Sequence, residues 1–133
     1  MDFDNLCSEI LKINEKIRYA GVYNTTTGKV FEKMRKEKGR LLNTEQTNNS
    51  IIHAYMRWKI RQQYSEFIGE PIYSMTKYTK INRITLPCSK NSLLLVSTEK
   101  DLEPHEIVDD ILQLIEKLSD DPNYYQRTPQ LNF

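Results

Sequence analysis

The chain is expected to fold as an α+β domain, a five-stranded antiparallel sheet with helices on both faces, in the order α-β-β-α-β-β-β-α. Three observations predict this. Apolar residues recur at three- and four-residue steps in three separate stretches, the period of a helix face. Five other stretches are rich in branched and aromatic residues or alternate with period two, as strands do. The links among the last three strands are short enough for hairpins, whereas a long crossover separates the second strand from the third.

The elements follow in order. Phe3, Leu6, Cys7, Ile10, Ile13 and Ile17 mark the first helix, and Asp2 and Asp4 sit where a helix start favours acids. Residues 18–23 form the first strand, in which Gly21 lets something approach the backbone closely. Residues 24–29 are turn chemistry ending at Gly28, and 30–35 return as the second strand. After a polar connection, Thr44 offers a cap for a long helix that runs to about Ile68 and stops at Gly69 and Pro71. Strands are expected over 72–78, 81–88 and 92–98. The continuously apolar Leu93–Val96 stretch belongs at the centre of the sheet, and strands two and three belong at its opposite edges. Pro104 opens the last helix, whose core face is Ile107, Val108, Ile111, Leu112, Ile115 and Leu118. Residues 1–118 make one domain, and 119–133, with Pro122 and Pro129, an extended tail.

The composition bounds the class of function. Of 133 residues 38% are hydrophobic and 28% charged, outside the disordered regime. The net charge of +1 supplies no global field toward nucleic acid or anionic lipid. No apolar run reaches membrane-span length, and the acidic start Met1-Asp2-Phe3-Asp4 has no secretory pattern. Cys7 and Cys88 are then expected as reduced thiols, and the expected location is the cytoplasm.

Catalytic, cofactor and metal sites are not expected. His53 and His105 have no second ligand at metal spacing, and neither cysteine belongs to a CxxC or elbow motif. Glycines at 21, 28, 39 and 69 make no phosphate loop. Asp109 and Asp110 are adjacent on a helix and point roughly 100° apart. Charge is nevertheless uneven. Residues 101–121 carry eight acids against Lys117, a net −7, whereas residues 29–40 carry six cations against two acids, a net +4. Arg57, Lys59, Arg61, Lys77, Lys80 and Arg83 add further positive charge, with Tyr73 and Tyr78 interleaved. Such a surface tracks phosphates in some proteins or docks on an acidic partner, but more often it solvates a sheet or discourages edge aggregation.

The long helix is apolar over more than one stripe. Ile52, Met56, Ile60, Tyr64 and Phe67 fall on one side and are read as packing on the sheet. Ile51, Tyr55 and Trp58 form a second stripe, roughly 60–120° the other way. One stripe suffices to cover a sheet face. The second is therefore covered either by the chain's own tail, with Tyr124, Tyr125 or Phe133, or by another subunit. In the latter case the expected interface is Ile51, Tyr55 and Trp58, with Arg57 and Arg61 at the rim and Tyr73 and Met75 alongside.

The order of elements, together with the stretch KIRYAGVYNTTTGKVF, resembles the roadblock/dynein-light-chain type of domain within the profilin-like group. The same stretch is similar to a group of archaeal proteins of unknown activity. The resemblance spans about Asp4 to Leu118, with a threonine run longer than the tight turn of roadblock domains. It implies a non-catalytic adaptor or regulatory module that pairs with itself through the long helix and an edge strand and serves as a platform for protein partners. The alternatives are a PAS-like sensor of a small molecule and a nucleic-acid binder using the basic hairpin.

Overall fold

A computed structural model describes residues 1–120. The expected tail, with Tyr124, Tyr125 and Phe133, lies outside the described residues apart from Ser119 and Asp120. The elements are α1 (Phe3–Ile13), β1 (Ile17–Asn24), β2 (Val30–Met34), a 3-10 turn (Lys36–Lys38), α2 (Thr44–Gln62), α3 (Ser65–Ile68), β3 (Ser74–Lys77), β4 (Ile81–Ser89), β5 (Ser92–Glu99), a second 3-10 turn (Pro104–Glu106) and α4 (Val108–Leu118). All strand pairs are antiparallel and the sheet order is β2-β1-β5-β4-β3. The α+β architecture, both edges and the central strand are as the sequence predicts.

The two faces of the sheet are sorted by the period of two along β5. Leu94 and Val96 point into a core closed by Leu6, Cys7 and Ile10 of α1 and by Val108, Ile111 and Ile115 of α4. Leu93 and Leu95 point the other way, against Ile51, Ala54 and Trp58 of α2. One helix therefore covers one face and two cover the other.

Local details differ from the expectation. The cap of α2 is Asn43, one residue before Thr44, in a reciprocal capping box with Gln46. The helix ends at Gln62 rather than near Ile68, and the chain resumes as the single turn α3 before Gly69, at φ +92. Neither glycine nor proline marks the break at Gln63–Tyr64, so the sequence carries no signal for it. Ile17 belongs to β1, not to the first helix, and β3 is only four residues long. The close approach expected at Gly21 is made by Tyr19, because a β-carbon at position 21 would run into the Tyr19 hydroxyl and ring.

Candidate functional site

The largest discrepancy between expectation and structure lies on α2. Ile51 is 0% and Trp58 3% exposed, both packed on Leu93 and Leu95 of the chain's own sheet. The stripe expected to face the sheet faces outward instead: Met56 and Ile60 are more than half exposed, and Ile52 is also exposed. Adjacent residues such as Ile51 and Ile52 point roughly 100° apart, so burying one stripe turns the other out. Ala54 lies with Ile51 and Trp58 in the same buried cluster against Leu93 and Leu95. Ile51 and Trp58 are thus internal, packed on the chain's own sheet and not presented to a subunit.

The remaining expected interface residues are scattered. Tyr55 is half-buried and meets Tyr23 edge-on, with ring centroids 5.5 Å apart. Arg57 and Arg61 are exposed on α2, and Tyr73 is exposed just before β3. Met75 is also exposed, but it pairs with Ile84, whose side chain belongs to the α1/α4 core. Cross-strand partners share a face, so Met75 lies on the side of the sheet opposite α2. Beyond α2, the apolar surface continues through Tyr64 to Phe67 and Ile68, 79% and 84% exposed on α3. The periodicity showed Tyr64 and Phe67, but only the tertiary fold shows that they face outward.

Chemistry-bearing residues are kept apart. His53 is exposed on α2, His105 is exposed in the 3-10 turn before α4, and Cys88 is buried in the core on the other side of the sheet. Among the described residues no group of three His, Cys, Asp or Glu is placed to hold a metal ion. Burial pushes both thiols up to about 12, so each is protonated and weakly nucleophilic at neutral pH. The Cys7 thiol reaches the Phe31 carbonyl at 3.7 Å, and the Cys88 sulfur lies 2.9 Å from the Ser92 hydroxyl.

Half of the cations of the basic hairpin are engaged within the chain. The Arg35 guanidinium donates to the carbonyls of Ile17 (2.7 Å), Asn14 (3.0 Å) and Leu11. Lys38 pairs with Glu99 at 2.9 Å, and Arg40 pairs with Glu32. Of the six, only Lys29, Lys33 and Lys36 remain for a phosphate-tracking surface.

Arg40 belongs to a partly buried network at the start of α2. The Tyr19 hydroxyl donates to Glu32 at 2.8 Å, and Arg40 holds the other Glu32 oxygen while donating to the Thr47 hydroxyl at 3.1 Å. Burial, reinforced by Glu32, raises the Tyr19 hydroxyl well above the ordinary tyrosine range. Beside this network lies a cleft of about 70 Å³, lined by Arg18, Tyr19, Arg40, Thr47, Arg83 and Ser97 and roofed by the Gly39–Leu42 loop. Its volume is far below the roughly 300–1,000 Å³ of a pocket for a drug-sized ligand.

No helix among the described residues is long and apolar enough to cross a membrane. No family model matches the sequence, and no curated protein matches it. Solved structures do match the fold. A roadblock/LC7 domain from Streptomyces avermitilis superposes with a TM-score of 0.69 at 11% identity, covering 89% of this chain and 95% of that one. MglB from Myxococcus xanthus gives 0.67 at 9% identity, covering 89% and 92%. A structure described as MglB with tetrameric arrangement gives 0.66 at 12% identity, covering 86% and 82%. The chain therefore has the roadblock/LC7 fold.

Proposed function

We propose that this roadblock-fold chain is a non-catalytic regulatory module that works by association, first with a second copy of itself and then with a protein partner. The carrying observation is the outward stripe of α2. Ile52, Met56 and Ile60 lie along one side of α2, and Tyr64, Phe67 and Ile68 follow in the chain, all exposed, an amount of apolar side chain that monomeric proteins seldom leave in water if it forms one patch. Arg57 and Arg61 stand on the same helix as a polar rim. The short strand β3 is an edge of the sheet, with no strand among the described residues on its outer side, which leaves it open to a second strand. The tetrameric arrangement described for one MglB structure supports a fold that uses its surfaces for assembly.

The expected interface is revised accordingly. Ile52, Met56 and Ile60 take the central positions first assigned to Ile51 and Trp58, with Tyr55 and Tyr73 toward the margin. Introducing a carboxylate into a desolvated interface centre is strongly unfavourable, because a buried charge must be paired or expelled. Met56→Asp and Ile60→Asp should each shift the dissociation midpoint of the dimer by at least tenfold, while leaving the thermal midpoint of the folded chain unchanged or higher. Sedimentation velocity over a dilution series reads both the wild type and the variants. A wild type that stays monomeric at every concentration would overturn the self-association on which the proposal rests.

A further inference from the structure

The cleft at the start of α2 contains a cation without a counter-charge among the described residues. Its three arginines are not equivalent. Arg18 pairs with Glu99 at 3.3 Å and donates to the Lys38 carbonyl at 3.1 Å. Arg40 pairs with Glu32. Arg83, on β4, has no hydrogen bond or ion pair among the described residues, and its Nε is fully buried. A buried donor without an acceptor is rare in native folds, and the Arg83 side chain as a whole is half-buried. Burial lowers its affinity for its proton, Tyr78 and Tyr19 act the other way, and the cation Arg57 of α2 lowers it further. Register places Arg83 beside Ser97 on β5, and Ser97 lines the same wall. The Thr47 hydroxyl, which already accepts a hydrogen bond from Arg40, keeps its own proton free to donate.

We propose that this cleft binds one small free oxyanion, with Arg83 as its counter-ion and the hydroxyls of Ser97 and Thr47 as further donors. Size sets the class. The cleft offers about 70 Å³ to water-sized groups, room for a few waters. That suits a carboxylate or a phosphate group better than a large cofactor. The guanidinium suits both shapes, since its fork matches the planar carboxylate and the tetrahedral phosphate alike. The site lies beneath the loop that leads into α2, so its occupancy would stiffen the entry to the helix whose outer face carries the proposed interface. The binding itself does not depend on the dimer.

The test is an amide-shift titration of the full chain with sodium phosphate and, separately, with sodium acetate, at constant ionic strength balanced by sodium chloride. A saturable one-to-one response at Arg83, Ser97 and Thr47 is expected with at least one of the two anions, and the responding anion identifies the geometry preferred. Arg83→Met should weaken that binding at least tenfold while keeping the stem's apolar contacts. Should the Met variant fail to fold, Arg83→Lys, which keeps the charge and loses the Nε donor, should still weaken binding severalfold. A response no different from chloride, or equal affinity in the substituted and native proteins, would overturn the site. Because the readout is binding in a folded chain of any oligomeric state, it fails or succeeds independently of the association experiment.

Discussion

At the residue scale, single side chains hold joints that secondary-structure patterns do not show. Arg35 follows β2 yet caps the last turn of α1, donating to Leu11 and Asn14 and also to Ile17 at the start of β1. The final carbonyls of a helix lack intrahelical partners and carry the negative end of its dipole, so a guanidinium there is doubly favourable. Arg35→Met should destabilise the fold by about 2 kcal/mol, since hydrogen bonds involving a charged group contribute about 1.5–3 kcal/mol. Urea denaturation measures the loss, and a variant as stable as the wild type would show that water replaces the guanidinium at no cost. In the sequence Arg35 is one of six cations in a basic hairpin. Its partners lie 18 to 24 residues away, beyond the reach of any local pattern.

At the element scale, α2 shows where periodicity runs out. Two apolar stripes satisfy the helical period equally well, and a helical wheel contains nothing that says which of them meets the sheet. The decision comes from Leu93 and Leu95, which accept Ile51, Ala54 and Trp58 as a close-packed set. In this arrangement Trp58 stabilises the monomer. Trp58→Ala should cost about 3–5 kcal/mol of folding stability, the range for truncating a buried large aromatic. It should lower the thermal midpoint even at concentrations where the chain is monomeric. Calorimetry decides the point, and an unshifted midpoint with weakened association would restore Trp58 to the interface.

At the scale of the whole molecule, charge links the ends of the sheet. Glu99, at the end of β5, is held below the ordinary carboxylate range chiefly by the Lys38 ammonium and further by Arg18. Lys16 does the same for Asp101, 2.7 Å away. A depressed carboxyl contributes stability at pH values above its unfolded range, and that contribution is lost as pH falls through the folded value. Glu99→Gln should therefore cost about 0.2–1 kcal/mol at pH 7, as partly exposed pairs do. The gap between variant and wild type should close as pH drops below about 4.5, the ordinary glutamate value. Denaturation at pH 7 and pH 3 checks this, and a gap of the same size at both would assign the loss to packing instead of charge.

Much of the architecture is fixed by local chemistry. The hairpin of β1 and β2 follows from a glycine-ended turn between branched strands, the central place of β5 from its unbroken apolar run, and the inward face of α4 from the spacing of Ile107, Ile111 and Ile115, although Pro104 opens the 3-10 turn before α4 and not, as expected, the helix itself. Each of these signals acts within a few residues, so one chain suffices to read it. The tertiary structure alone decided which stripe of α2 faces water, where α2 breaks, which sheet face Met75 occupies, and that no acid among the described residues pairs with Arg83. Each depends on residues far apart in sequence competing for the same space or the same charge, and that competition is settled only when the sheet and its helices close together.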